Sequence, residues 1–236
     1  IIAYYEDEGT VPPKRVWNMK SHNAETYGTN ILSELLPDRQ FPYPKSLYAV
    51  YDCLNFVIGQ NPNAIVLDFF AGSGTTLHAL SLLNAVDNGH RKAIIVTNNE
   101  HSAKEEAQLR AEGFEEGDEY WERTGVAKYI TWPRIEAAIN GISSTGTPLT
   151  GDYGASVEVF EKKNAKGHNS CYEKKNVEIY PQLNAIKKGN GFNENVKYFK
   201  CDWTPRKPED YLLSNVLCLH IREMIELQNA IEVDNV

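Results

Sequence analysis

Between Val66 and Thr76 the chain reads VLDFFAGSGTT: an apolar run, Asp68, two phenylalanines, Gly72 and Gly74 one residue apart, then Thr75 and Thr76. Glycines at such spacing let a ligand lie against bare backbone where a strand turns into a helix. Two phosphate cradles are excluded by what the stretch lacks. The dinucleotide fingerprint needs a third glycine three residues after the second, and that position is Leu77. The phosphate loop of nucleotide hydrolases needs a lysine before its Ser or Thr, and Gly74 is followed directly by Thr75.

What remains is a nucleoside ligand without phosphates, and S-adenosylmethionine fits. Its sulfonium and amino acid parts would lie over Ala71–Gly74. A carboxylate after the next strand would take the ribose hydroxyls. That strand runs into VTNNE, which offers Glu100 with Asn98 and Asn99 beside it. The plain alternative is a tight turn, with Glu100 capping a helix. A buried strand, DxFxGxG, a helix and a second strand leading to an acid together favour the ligand site.

The elements that must position these residues follow from periodicity. PKSLYAVYDCLNFVIG places Leu47, Val50, Tyr51, Leu54, Val57 and Ile58 at helical spacing, with Pro44 near its start and Gly59 at its end. AIVLDFF and RKAIIV read as strands buried on both faces. TTLHALSLLNAV, HSAKEEAQLRAEGF and VAKYITWPRIEAAINGI read as helices, the last with a kink or a late start at Pro133. This alternation predicts an α/β fold with a parallel, doubly wound sheet. Residues 143–195, rich in Gly, Ser, Thr, Asn and Lys, read as an irregular loop or insertion. VKYFKCDW then reads as a strand and LLSNVLCLHIREMIELQNAI as an amphipathic helix or helix pair.

The 236 residues suit one large domain, or one domain with an appendage. No apolar stretch approaches a membrane span, and the acidic start IIAYYEDEGT is no signal peptide. The first residue is Ile, and the sequence reads as a piece of a longer chain. Cys53, Cys171, Cys201 and Cys218 are scattered, so free thiols in a reducing cytoplasm are expected rather than zinc. A net charge of −8 argues against the whole chain being a nucleic-acid clamp, though not against a local basic strip.

FPYPKSLYAV, then VLDFFAGSGTT, then RKAIIVTNNE resembles the amino-methylating DNA methyltransferases of the beta class. The match is to the modification subunits of type III restriction systems. The resemblance is dense from about Trp17 to Ile142 and weaker in NVKYFKCDW and LCLHIREMIEL. It implies a Rossmann-like S-adenosylmethionine-dependent methyltransferase fold: a partial parallel sheet flanked by helices, with an irregular C-terminal extension. It also implies four regions: 1–40, the tail of an upstream target-recognition connector; 41–142, the cofactor half; 143–195, the insertion; and 196–236, a small α/β element. By resemblance Lys45 and Ser46 would meet the carboxylate end of the cofactor. Asp68, Phe69, Phe70, Ala71, Gly72, Ser73 and Gly74, with Thr75 and Thr76, would form its floor, and Asn99 and Glu100 would hold the ribose. Ser46 departs from the commoner proline of the family motif. Implied partners are double-stranded DNA, a second copy of the chain and a restriction subunit, in a bacterial cytoplasm.

No residue is assigned to catalysis. The family grips a flipped base with Asp, Asn or Ser before Pro-Pro and an aromatic. The only Pro-Pro here, Pro12-Pro13, stands between Val11 and Lys14 and reads as a plain turn. The expected function is therefore the cofactor half of a DNA amino-methyltransferase, inactive alone, with adenine favoured and cytosine's amine left open. Losing the upstream strands would expose a sheet edge and an apolar face. Two rivals remain: a non-catalytic subunit or interaction module pairing with another chain, and a small-molecule or RNA methyltransferase. The doublets Lys162-Lys163, Lys174-Lys175 and Lys187-Lys188 read as DNA-phosphate contacts or as solvated loop lysines. Trp121, Trp132 and Trp203 are expected in the core, and His78 in packing or at the surface rather than in proton transfer.

Overall fold

The computed structural model describes residues 15–163, 171–201 and 217–229. Pro12-Pro13, Trp203 and the side chains of Lys162 and Lys163 lie outside that account. The chain forms two compact units, Ile1–Glu194 and Asn195–Val236.

In the first unit a short helix α1 (Asn30–Leu35) leads to α2 (Leu47–Ile58), β1 (Ile65–Asp68), α3 (Thr75–Asp87) and β2 (Lys92–Ile95). Helices α4 (Ala103–Ala111), α5 (Glu119–Thr124) and α6 (Trp132–Asn140) follow, then a hairpin of β3 (Ser156–Lys163) and β4 (Cys171–Glu178). Strands β1 and β2 pair in parallel, Ile65 opposite Lys92 and Asp68 opposite Ile95. The crossover through α3 is the βαβ unit that the alternation predicts. Helix α3 is buried from Leu77 to Asn84, so it runs inside the protein. Helix α4 opens with a capping box between Ser102 and Glu105. Pro133 sits in the first turn of α6, which continues a π-helical turn at Ala127–Thr131 through helical backbone at Thr131 and Trp132, so the expected late start is not seen.

Four expectations are corrected. The β1 and β2 strands are not buried on both faces. Ile65 is 67% and Leu67 54% exposed, because among the described residues the parallel sheet has two strands and nothing covers that side of β1. The apolar face extends to Phe69, and Val57 of α2 is also exposed while Tyr48 and Asp52 are buried in its place.

Residues 143–195 are not an irregular loop. Besides the β3–β4 hairpin, the segment sends Leu149, Tyr153, Tyr180, Leu183 and Phe192 into the core. Tyr180 stacks on Tyr48 with ring centres 4.8 Å apart and donates to Asp52 Oδ2 at 2.7 Å. Tyr48 in turn donates to the Tyr153 carbonyl at 2.7 Å. These contacts lie 105 and 128 residues apart in sequence, which local composition does not report. Similarly, Ile31, Leu32, Leu35 and Leu36 belong to the core, so the segment before residue 40 is not a mere tail.

In the second unit, residues 196–201 form no strand, contrary to expectation. Its helix α7 (Ile221–Asn229) buries Glu226, which accepts from Arg222 Nε at 3.1 Å and from Lys197 Nζ.

Candidate functional site

Asp68 closes β1 and staples the turn after it. Its Oδ1 accepts from the Phe70 N–H at 3.0 Å and its Oδ2 from Thr76 Oγ1 at 2.6 Å. The turn is tied to the neighbouring strand as well: Ala71 N–H donates to the Val96 carbonyl at 3.0 Å, and Val96 N–H to the Asp68 carbonyl at 2.7 Å. Gly72 and Gly74 both take positive φ, 50° and 78°, and Gly74 is the N-cap of α3. A Cβ at Gly74 would meet Thr131 Cγ2 at 3.3 Å and Ile135 Cδ1 at 3.4 Å, so the turn rests directly on α6.

A cavity of about 250 Å³ opens over this turn. Lys45 and Asp68 contribute charges of opposite sign. Ala71 and Gly72 also line it, with the hydroxyl-bearing Ser73, Thr75 and Thr76. Phe70, 91% exposed, stands at the cavity with Phe41 and Tyr43. Tyr43 is also 91% exposed and is held at φ 56°, a backbone state that costs a non-glycine residue energy. Cation, hydroxyls and aromatic faces suit a molecule with a charged amino acid end and a nucleoside body. A larger concavity of about 530 Å³, bordered by Arg39, Glu136 and Asn140, shares no residue with the turn.

The other expected site residues do not line the cavity. Ser46 is buried; its hydroxyl N-caps α2 by accepting from Ala49 N–H and donates to the Ser21 carbonyl at 2.8 Å. Its part is to set the start of α2, and so the approach of Lys45. Gly28 does the same from below, since a Cβ there would stand 2.5 Å from the Pro44 carbonyl oxygen. Phe69 lies on the exposed sheet face and Gly74 beneath the turn. β2 ends at Ile95, so Asn99 and Glu100 lie beyond the strand. Asn99 donates to the Glu122 carbonyl at 2.7 Å and accepts from Lys128 N–H at 3.2 Å, which anchors the segment after α5. Glu100 is exposed, and its carbonyl accepts from Val126 N–H.

Two residues that sequence reasoning missed hold the turn from α6 and the turn before it. Thr131 Oγ1 donates to the Gly72 carbonyl at 2.5 Å. Arg134, fully buried, donates through Nη1 to Ser73 Oγ at 2.9 Å and Thr75 Oγ1 at 2.7 Å. Burial pushes its pKa down to about 10, still a cation at neutral pH. The available signal was a threonine and an arginine three residues apart within an apolar helix face, Ile130, Ile135 and Ala138.

His78 is buried one turn into α3, with Nε2 2.9 Å from Tyr153 Oη. Burial first, then the charges of Arg134 and Lys188, hold its pKa well below the ordinary range, so it packs as a neutral ring. Trp121 is buried and Trp132 half-buried. The lysines of the hairpin region make internal pairs: Lys174 with Glu158 at 2.8 Å, Lys187 with Asp152 at 2.8 Å and Lys188 with Glu34 at 2.6 Å. Among the described residues no His, Cys, Asp and Glu group could hold a metal ion, and no helix is long and apolar enough to cross a membrane.

A parallel strand pair joined through α3, with a cavity of about 250 Å³ over the glycine turn, defines a mixed helix-and-strand protein with a concave surface at its crossover. The chain belongs to the N6_N4_Mtase family of DNA methylases, whose model matches residues 3–124. It is 35% identical over 96 residues to the type II methyltransferase M.KpnI of Klebsiella pneumoniae, 41% of this chain and 22% of that protein. It is 37% identical over 91 residues to the EcoPI Mod subunit, a type III restriction-modification enzyme of Escherichia phage P1, 39% of this chain and 14% of that one. The StyLTI Mod subunit of Salmonella typhimurium (strain LT2) is 33% identical over 96 residues, 41% and 14% of the two chains. The matched stretches thus span about a fifth or less of these relatives. The resemblance to DNA methyltransferases and type III modification subunits read from the sequence is borne out.

Proposed function

We propose that the cavity over the Asp68–Thr76 turn binds S-adenosylmethionine and that the chain is the cofactor-binding part of a DNA amino-methyltransferase of a restriction-modification system. The observation that carries this reading is the convergence, in one cavity, of Lys45 from the start of α2 with Asp68, Ser73 and Thr75 from the turn. These residues would hold the cofactor, which supplies an activated methyl group. Lys45 and the hydroxyls would take its amino acid end, and the exposed ring of Phe70 would lie against its body. Glu100 would reach the ribose only by bending over the end of β2.

The fold is Rossmann-like in this reading, with β1–α3–β2 as its first crossover and 41–142 as the cofactor half. In this reading the base is gripped by a DPPY-like segment outside these 236 residues, and methyl transfer would depend on it. Adenine is the favoured target, with double-stranded DNA, a second copy and a restriction subunit as partners, all in a bacterial cytoplasm. The exposed apolar face of β1, Ile65, Leu67 and Phe69, favours one second reading, a methyltransferase-fold module that pairs with another chain. Calorimetric titration with S-adenosylmethionine separates the two. Micromolar binding that is lost in Asp68→Ala supports the first, and a folded protein that takes up no cofactor removes it. Methyl incorporation into DNA by this chain alone would overturn the assignment of catalysis to another segment.

A further inference from the structure

We propose that Arg134 is a positioning residue for the glycine turn: it fixes the hydroxyls of Ser73 and Thr75 as donors into the cavity and so selects a ligand that carries a carboxylate. The inference rests on the cofactor reading above.

Arg134 reaches the turn with a single nitrogen. Nη1 donates to Ser73 Oγ, to Thr75 Oγ1 and, at 3.3 Å, to the Ser73 carbonyl. Both hydroxyl oxygens therefore accept from the guanidinium, and each must place its own proton elsewhere. The two oxygens are 3.3 Å apart, so one proton goes from one hydroxyl to the other. The remaining proton finds no acceptor among the described residues, although both side chains are buried and both line the cavity. In the open cavity that acceptor is water, and a bound ligand's oxygen would replace it.

Charge decides which acceptor. Arg134 makes no ion pair among the described residues, and its Nε and Nη2 have no hydrogen-bond partner. A lone buried guanidinium is costly, and an anion one hydroxyl away offsets that cost. Lys45 adds a second cation at the same cavity, while the Asp68 carboxylate is turned onto Phe70 N–H and Thr76 Oγ1. A carboxylate would thus settle at the Ser73–Thr75 end, away from Asp68.

The test compares S-adenosylmethionine with decarboxylated S-adenosylmethionine, which keeps the sulfonium and the amine, by calorimetry on the 236-residue chain. The unaltered chain should prefer the carboxylate by roughly tenfold, as one charge-assisted hydrogen bond implies. Arg134→Gln should remove that preference, weakening binding of the carboxylate compound by roughly tenfold more than binding of the decarboxylated one. A purely structural arginine would weaken both compounds alike, and that result, or an undiminished preference, overturns the inference while leaving the cofactor site in place. If the unaltered chain binds neither compound, the cofactor reading itself falls and takes this inference with it. Arg134→Lys is the second variant should Arg134→Gln fail to fold. One ammonium cannot reproduce the planar fork, so the preference should shrink to a few-fold. A folded Arg134→Lys that keeps it whole overturns the proposal.

Discussion

Thr76 donates to Asp68 at 2.6 Å, from the first turn of α3 back to the last residue of β1. With the Phe70 N–H on the other oxygen, one carboxylate holds strand end, turn and helix start in a single arrangement. Asp68→Ala removes both bonds and should weaken S-adenosylmethionine binding by about tenfold or more, with a stability loss of roughly 1–3 kcal/mol. Thr76→Val removes one bond and should cost less on both counts. Parallel calorimetry and urea denaturation check the pair, and an Asp68→Ala protein with undiminished affinity would remove Asp68 from the site.

Gly74→Ala tests the backbone of the turn. Its φ of 78° disfavours any Cβ, and Thr131 and Ile135 stand at 3.3 and 3.4 Å from where that atom would sit. A loss of about 1–2 kcal/mol is expected from the left-handed conformation. The melting temperature should fall accordingly, and a melt indistinguishable from the unaltered protein would mean that the turn can relax at no cost.

His78 predicts a pH dependence. Its folded pKa lies well below its unfolded value near 6.5, so the unfolded chain binds a proton that the folded protein refuses. The contribution is fully present above about pH 6.5 and is lost as pH falls below it, by at most about 1.4 kcal/mol per pH unit for one proton. Asp87 and Glu105, held low chiefly by hydrogen bonds from Arg91 and Ser102, act in a different window: their stabilisation is lost only below about pH 4.5. Denaturation midpoints between pH 7 and 5 should therefore fall in the unaltered chain and flatten in His78→Gln; equal slopes would refute the assignment.

Arg91 joins three elements. Its guanidinium meets both oxygens of Asp87 at 2.9 and 2.8 Å, the Gly59 carbonyl at 2.8 Å and the Ile58 carbonyl at 3.2 Å. Arg91→Met should cost about 3 kcal/mol, near the lower end for a broken buried pair because Asp87 can regain water. Arg91→Lys should recover little of it, since an ammonium cannot serve a carboxylate and two carbonyls in one plane. Urea midpoints of the two variants measure both numbers.

The strand–turn–helix, and the turn residues that line the cavity over it, were legible because their causes are local. Glycine is demanded by φ at Gly72 and Gly74, α3 follows from an unbroken apolar run, and Asp68 reaches only to Phe70 and Thr76. The end of α2 was legible for the same reason, from Gly59. Burial of β1 was misjudged because an apolar run says that a strand wants cover, not that cover is present in this stretch of chain.

What the sequence by itself determined is therefore the turn, its lack of either phosphate-loop motif and the family of DNA methylases to which the chain belongs. Only the tertiary structure decided which residues meet at that turn. Ser46 and Asn99 were drawn into backbone support, and Tyr153 and Tyr180 ordered a segment whose composition reads as loop. Arg134 came back across 59 residues to hold Thr75. The reason is physical: a hydrogen bond within a turn is written in neighbouring letters, whereas a buried guanidinium's partners depend on how helices pack.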